Sequence, residues 1–535
     1  MTYDIIFILG EAYFDHPLSG PGLLKRLLEK QGFSVGVIDT PRTAKDIANL
    51  GKPRLFFAVS SGSIDSMLRN YTPLKKLRSE DPNKDDDIDD SFVPNRAVIV
   101  YCNWIRQHFK ESILVIGGVE ATLRRFTHYD YWDNKLRKPI LVDSRADILL
   151  YGNSEKQIIE VANKLNDFYT NQKYLTKTNI IDARLTLQNI SGTCIISKTV
   201  PQEFIIIPSH EEVSPTIATL DSKEKFCDLQ NSFSNFKNLA EQVGDRYILQ
   251  YSSPNYTSKD LDEYYELPFS REIPKHLKYL RGFQFSVVTH RGCIGECNFC
   301  SLTLTQGNKI ISRSEKSILK EIENITKLPH FKGNIDDLGG PAANMYGMDC
   351  IKCEKSCLGC KTLKKDYVRM LSLLKKARAI EGVKKINIRS GILYDLCSEE
   401  YLQEVVTHHI AKTLRIAPEH INNNVLELMN KNHGNLKQFI DMFNKIINSA
   451  PELKDKELSF YFMTAHPGSS MIEAKELAEF IKHFKNAETA QIFTPTPMTN
   501  STCMYYTGLD PKTKKPIYVP YTYSEKKEQK RILSR

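Results

Sequence analysis

Two long stretches of the chain alternate short apolar runs with segments whose apolar residues recur every three or four positions. This is the pattern of strands followed by amphipathic helices. In the first stretch Ile5–Leu9, Val35–Ile38, Leu55–Val59, Ile113–Ile116 and Ile148–Tyr151 read as strands. Gly22–Gln31 (with Leu23, Leu24, Leu27 and Leu28 on one face), Val98–Phe109 and Glu155–Leu165 read as helices. A βαβ order of this kind predicts an α/β, doubly wound, Rossmann-like domain over residues 1–166, with ligands at the carboxyl ends of its strands. Residues 167–275 hold strand-like runs at Gly192–Ile196, Phe204–Ile207 and Tyr247–Tyr251 without helical crossovers, and read as a connecting subdomain. From about Gly282 the alternation returns. Strands are expected at Phe283–Thr289, Ile335–Gly340, Lys385–Ile388, Thr413–Ile416, Leu458–Met463 and Ala490–Phe493. Helices are expected at Ser314–Leu328, Tyr367–Ala379, Tyr401–His408, Leu436–Asn448 and Met471–Phe484. Close to six βα units predict a partial, open (β/α)6 barrel over residues 276–510, followed by a basic tail at 511–535.

Composition changes this picture little. At 535 residues, 41% hydrophobic and 26% charged, the chain is that of a water-soluble globular protein of several domains. No apolar run is long enough to cross a bilayer. The first residues, Met1–Leu9, lack a basic n-region and a cleavage site, and read as a strand. The net charge of +9 is modest, and the segment Lys512–Arg535 carries eight Lys and Arg. Such a tail reads as a solvated terminus before a nucleic-acid contact. Glu80–Asp90, with seven acids in eleven residues, reads as a solvated loop. Leu123–Asp133 mixes aromatics with both signs of charge, which suits either a cleft lining and domain junction or a plain amphipathic interface.

Cysteine usage carries the chemistry. Seven of the twelve cysteines fall in two tight clusters, which reads as metal binding in a reducing cytoplasm and not as a disulfide framework. Cys293, Cys297 and Cys300 stand at C-x3-C-x2-C just after a strand, with the aromatic Phe299 before the third. Thiolates suit iron–sulfur clusters and zinc. Three ligands leave one iron of a [4Fe–4S] cube open, whereas a zinc site would need a fourth, such as His290 or Cys397. Cys350, Cys353, Cys357 and Cys360 (C-x2-C-x3-C-x2-C) form a complete set of four for a second metal, either zinc or an auxiliary iron–sulfur cluster.

Polar motifs gather at predicted strand ends: Asp337-Leu338-Gly339-Gly340-Pro341, Arg389-Ser390-Gly391, Arg415 to His420 and His466-Pro467-Gly468. Ser390, Arg415 and Glu419 are placed to bind the carboxylate and ribose of a cofactor or a substrate. His420 and His466 are polar candidates whose plainer reading is structural. None of the loops after the first-domain strands is a G-x-G-x-x-G fingerprint, which leaves a nicotinamide site unsupported.

The C-x3-C-x-Φ-C spacing, Φ being aromatic, resembles the signature of radical S-adenosylmethionine (SAM) enzymes. That resemblance implies a [4Fe–4S] cluster whose open iron chelates SAM, with Gly339 and Gly340 receiving the methionine amino group. It also implies an electron donor such as flavodoxin or ferredoxin. The first domain resembles a cobalamin-binding one, but Asp15-His16-Pro17 lacks the residue between Asp and His of the D-x-H-x-x-G motif, and cobalamin is not expected. More specifically, GEAYFDHP, GGVEATLRRFTHYDYW, LVDSRADILLYGN, RGCIGECNFCSLT, SRSEKSI, DLGGPAANMY, THHIAKTLRIAPEH, AHPGSSM and PTPMTNSTCMYYTG resemble the YgiQ-type family of radical SAM proteins, from residue 10 to residue 508. PTPMTNST is also similar to the last-strand region of methylthiotransferases, which points to RNA or protein as substrate. Two other readings stand beside this one: a non-catalytic zinc and RNA-binding protein, and an iron–sulfur electron carrier.

Overall fold

The computed structural model describes residues 2–78, 93–171, 180–274, 277–350, 357–358, 360–365, 367–431, 434–484 and 490–534. The acidic run at 80–90 and Cys353 lie outside them. The chain forms two compact units. One is Met1–Asn255 with Leu267–His276 and Pro495–Lys515; the other is Tyr256–Glu266, Leu277–Thr494 and Pro516–Arg535.

In the first unit, strands β1 (Ile5–Leu9), β2 (Val35–Asp39), β3 (Phe56–Ser60) and β4 (Ile113–Ile116) are joined by parallel pairing. A small hairpin, β5 (His128–Asp130) and β6 (Lys135–Arg137), stands apart from the main sheet. Strand β7 (Ile148–Leu150) then pairs parallel to β4. All five residues of β1 are buried, which is why Ile-Ile-Phe-Ile-Leu is a continuous apolar run and not an alternating one. The helix Gly20–Lys30 starts where Ser19 accepts from Gly22 N and Pro21 pre-sets the first turn. The parallel order β2-β1-β3-β4-β7 is flavodoxin-like, with its topological switch between β1 and β3.

The sheet does not stop at residue 166. Strands β8 (Thr193–Ser197), β9 (Ile205–Ile207), β10 (Leu239–Val243) and β11 (Arg246–Gln250) extend it to nine strands in the order β7-β8-β11-β10-β9. Residues 167–275, read from the sequence as a connecting subdomain, thus contribute four strands to the first sheet. Helical connections that the periodicity did not mark are present: Leu220–Ser232 runs between the parallel strands β9 and β10, and Glu155–Asn171 lies between β7 and its antiparallel neighbour β8. Only the antiparallel pair β10–β11 is joined by a tight turn, made by Gly244 at φ +62°.

Residues 123–131 of the aromatic and charged segment are buried inside this unit, while Asp133 at its end is exposed. Arg124 pairs with Asp65. Arg125, 0% exposed, donates to Gln250 Oε1 (2.7 Å) and Asn235 Oδ1 (2.9 Å) and lies over the Tyr151 ring. Glu120 accepts from Ser66 N at 2.9 Å and Val98 N at 3.0 Å. Each of these buried charges has partners, as a low-dielectric interior requires. PTPMTNST, similar in sequence to a last-strand region, turns instead into the helix Asn500–Thr507 capped by Thr499.

In the second unit the strands are β12 (Val287–Val288), β13 (His290–Arg291), β14 (Ile311–Ser312), β15 (Asn334–Ile335), β16 (Leu338–Gly339), β17 (Lys385–Ile386), β18 (Thr413–Glu419), β19 (Glu457–Thr464) and β20 (Gln491–Ile492). Parallel pairs β12–β16, β15–β17, β18–β19 and β19–β20, with a parallel bridge Ile392–Ile416, follow chain order. Between them run helices Glu315–Thr326, Tyr367–Arg378, Glu399–Glu404, Leu436–Ile447 and Met471–Ile481. Their apolar faces (Ile318, Ile322, Leu373, Phe439, Phe443, Leu477) and the outward strand residues (Ile335, Ile386, Leu414, Ile416, Phe460, Phe462) make one core. This is the expected partial barrel of βα units.

The terminal segment, read as a basic tail, ends in a helix, Tyr523–Leu533, started by Thr522. Its Gln529 is fully buried, accepting from Thr464 Oγ1 (2.8 Å) and Ala465 N (2.9 Å) and donating to Ser469 O (2.8 Å). Spacing hides this role, because the anchoring residue is polar. Gln529→Leu is expected to lower stability by about 1–3 kcal/mol through the unpaired Ala465 N and Ser469 O, read as a lower midpoint of thermal unfolding.

Candidate metal centre

The three-cysteine loop grows from a short hairpin. β13 pairs antiparallel with β14, and Cys293 N donates to Gly307 O at 3.1 Å, closing the loop at its base. Gly292 at φ +85° lies against the Lys309 carbonyl, where any Cβ would overlap the oxygen. At the loop's tip a Cβ on Gly295 would stand 3.4 Å from Cys293 Sγ and 3.6 Å from Cys297 Sγ. The glycine therefore lets two sulfurs turn to one side of the loop. Burial pushes all three thiols up, Cys297 to about 11. Among the described residues no three His, Cys, Asp or Glu side chains are drawn tightly enough together to hold a single ion. Thiolates on a cluster bind separate irons and stand wider apart than thiolates around one zinc. Three half-buried thiols on one short loop are the donor type that an iron–sulfur cluster takes.

Phe299 joins the loop to a group of buried rings. Its ring meets His466 edge-on (6.3 Å between centroids), and His466 packs on Phe493 (5.1 Å). His466 is 0% exposed, its Nδ1 lies 2.7 Å from Pro467 O, and burial brings its pKa down to about 3. It is a packing residue. His420 is likewise buried and neutral, its Nδ1 accepting from Asn422 N at 3.0 Å.

Of the candidate zinc ligands, His290 keeps a buried Nε2 without a hydrogen-bond partner, and Cys397 is hydrogen-bonded to its neighbour. His290 is 0% exposed, with Nδ1 2.8 Å from Thr289 Oγ1 and its ring laid over Gly340. The Cys397 thiol donates to Ser398 O at 3.6 Å.

The two glycines are glycines for a packing reason. A Cβ on Gly339 would stand 2.7 Å from Ser390 Oγ, and one on Gly340 2.6 Å from the His290 ring. Gly339 O accepts from Thr289 N at 2.8 Å. Asp337 completes this knot: it takes the Ser390 hydroxyl and accepts from Arg389 N at 2.7 Å. Ala342, next in the motif, shares a small apolar cluster with Ile294 of the cysteine loop, Ile310, Met345 and Met348. Gly339, Gly340 and Ser390 thus come together, and this cluster ties them to the thiols.

Glu419 ends β18 at φ +68°, just past a bulge, a costly conformation for a residue with a side chain. It is 5% exposed, and its Oε2 is buried without a hydrogen-bond partner. Burial raises its carboxyl to about 7, with Lys431 opposing. Its charge acts on Cys297 and Cys300, which places it by the thiol loop. Arg415, on the same strand, has an exposed side chain.

Two residues at this site carry no sequence signal. Lys431 is 8% exposed and follows Asn430 at φ +53°. Asp395 also acts on Cys297 and Lys431. Neither belongs to a spacing pattern: Lys431 follows Asn430 in a polar loop, and Asp395 is a single acid between Tyr394 and Leu396 in a one-turn helix.

The second cysteine set is described at Cys350, Cys357 and Cys360. Cys357 is 4% exposed in the same small cluster as Ile294, and Lys309 donates to its sulfur at 3.4 Å. Cys360 Sγ lies 3.2 Å from Thr362 Oγ1.

A family model described as the radical SAM N-terminal domain matches residues 1–285. A UPF0313 protein of Methanocaldococcus jannaschii is 42% identical, covering 99% of this chain and 89% of its own. One from Fusobacterium nucleatum subsp. nucleatum is 39% identical, covering 100% and 96%. Among solved structures, the radical S-adenosylmethionine methyltransferase TsrM from Kitasatospora setae, with tryptophan substrate and the SAM analogue aza-SAM bound, is similar at TM-score 0.51. The match has 13% identity and covers 94% of this chain and 76% of that one. TsrM with cobalamin and a [4Fe–4S] cluster bound matches at 0.50, again with 13% identity, over 94% and 79%. This likeness is one of fold. TsrM carries cobalamin on that fold, so the expectation of no cobalamin, drawn from the residue missing between Asp15 and His16, is not borne out. What this chain shows is a buried His16 whose Nδ1 accepts from Leu18 N at 3.0 Å and whose Nε2 lies 3.4 Å from Arg271. By its near-full-length relatives and its matching N-terminal domain, the chain belongs to the UPF0313 family, the YgiQ-type radical SAM proteins.

Proposed function

We propose that this protein is a radical SAM enzyme in which Cys293, Cys297 and Cys300 hold a [4Fe–4S] cluster. The observation that carries the reading is the loop itself: three half-buried thiols on one short loop, two of them facing the bare side of Gly295. When bound, the cluster supplies an electron that splits the sulfonium of S-adenosylmethionine into methionine and a 5′-deoxyadenosyl radical. The protein's own contribution is to bind, orient and exclude water. Phe299 and the apolar cluster around Ile294 keep the loop dry. Gly339, Gly340 and Ser390, with Asp337 behind them, form the floor for the methionine end of SAM. Glu419, with a buried oxygen left unpaired, accepts from a ribose hydroxyl or an amino group, and Arg415 offers a cation for a carboxylate. Cys350, Cys353, Cys357 and Cys360 form a second metal site, zinc or iron–sulfur. RNA or protein is the substrate class, a flavodoxin or ferredoxin the reductant, and the cytoplasm the compartment. Among the described residues no helix is long and apolar enough to cross a membrane.

The test is anaerobic reconstitution with iron and sulfide, iron analysis, then incubation with dithionite and SAM and chromatography for 5′-deoxyadenosine. Iron uptake with formation of the nucleoside is expected. Zinc retained in place of iron after anaerobic handling would favour the zinc and RNA-binding reading. A redox-active cluster unmoved by SAM would favour the electron carrier.

A further inference from the structure

The cysteine loop is clamped by a segment far from it in sequence. Asn298 N donates to Met429 O at 2.9 Å, Asn298 Nδ2 to Leu428 O at 2.9 Å, and Asn430 Nδ2 to Glu296 O at 2.9 Å. These three bonds seat residues 428–430 on the loop between its first and third cysteines. Asn430 takes φ +53°, a left-handed turn that ends the short helix Asn423–Leu428 and redirects the chain. Lys431 N then donates back to Leu426 O at 2.8 Å, which fixes the next residue.

The residue so placed is a lysine, 8% exposed. Lysines are rarely buried unless paired, yet no hydrogen bond or ion pair holds this ammonium among the described residues. Burial alone would drive its pKa down, but Cys297, Glu419, Asp395 and Cys293 together outweigh that and hold it up. Two of those four groups are the thiols of the loop. An isolated buried ammonium is costly; the carboxylates of Glu419 and Asp395 offset part of it, and the cysteines add negative charge once they bind as thiolates.

We propose that Lys431 is the counter-ion of the three-cysteine loop, a positioning and tuning residue whose ammonium offsets the charge that three thiolates and a bound cluster bring into a buried site. The inference rests on the cluster reading above. Its physical content is a potential. Reduction adds a negative charge to the site, a nearby cation stabilises the reduced form, and charge is a recognised lever on cluster potentials. Removing the cation makes reduction harder.

The experiment compares wild type, Lys431→Met (similar length, no charge) and Lys431→Arg after anaerobic reconstitution. Iron and sulfide per chain, the thermal midpoint and a redox titration followed by electron paramagnetic resonance are measured on each. The expected result is wild-type iron content in all three, with the midpoint potential of Lys431→Met lower by at least ~59 mV. That is a tenfold change in the reduction equilibrium of a one-electron couple. Lys431→Arg should stay near wild type. If Lys431→Met takes up no iron while Lys431→Arg takes up the full complement, the charge role holds in a stronger form. Equal potentials in Lys431→Met and wild type overturn the inference and leave the cluster reading intact. Loss of iron in both variants also overturns it, since shape and not charge would then matter. A wild-type chain that binds no iron overturns both.

Discussion

Alanine at Cys293, Cys297 and Cys300 together is expected to abolish iron uptake at the loop and to bring 5′-deoxyadenosine formation down to the level without enzyme. On the proposed reading the loop's thiols are its metal-binding groups. Nearby side chains offer only one imidazole nitrogen (His290 Nε2) and the carboxylate of Glu419, too few to replace three thiolates. Single replacements should be graded. Cys297 stands between the other two in sequence and is the thiol that Lys431, Glu419 and Asp395 all act on. Its loss should cost as much iron as the triple change. The second cysteine set could retain metal, so iron must be counted against a variant with Cys350, Cys357 and Cys360 replaced as well. If the triple variant keeps wild-type nucleoside formation, the loop does not carry the chemistry. Folding is checked by the thermal midpoint without iron, which should change little, since none of the three thiols belongs to the main barrel core.

How much of this site is legible in the sequence depends on whether a residue works through a pattern or through its surroundings. The cysteine spacing is legible because one short loop must present its thiols together, and that fixes their separation along the chain. The barrel strands are legible because each buries an apolar run. Gly339 and Gly340 are legible as a motif, but their cause is not: Ser390 and His290 press on them from distant positions. Glu419 is legible as a polar residue at a strand end, whereas its left-handed backbone depends on a bulge that periodicity does not report. Lys431 is invisible, because its meaning lies in three hydrogen bonds between residues more than a hundred positions apart. The strands of 193–250 show the same limit at the scale of a domain. They are recognisable as strands, but their antiparallel joining to β7 is a matter of long-range pairing. Gln529 is another case, a polar side chain that anchors a helix through an amide no hydrophobic pattern marks.

Gly292→Ala tests whether the hairpin beneath the loop sets the metal site. Two costs coincide at this position. The backbone is at φ +85°, where an L side chain costs on the order of 1–3 kcal/mol. The added Cβ would also overlap the Lys309 carbonyl, and backbone cannot swing aside as a flexible side chain can. Forcing atoms into a packed site costs about 1–3 kcal/mol more. Since Cys293 is the next residue, strain relieved by moving Gly292 is passed directly to the first thiol, and the contact of Cys293 N with Gly307 O opens. The expected result is a thermal midpoint lower by about 5–10 °C together with loss of most iron at the loop. Gly307→Ala is the control: its φ is +91°, but nothing stands within 4 Å of the new Cβ. It carries the backbone strain without the overlap, so it should lower the midpoint by a smaller step and keep its iron. Wild-type iron in Gly292→Ala would mean that the thiols find the cluster without the hairpin's guidance. Equal iron loss in both variants would assign the effect to backbone strain alone.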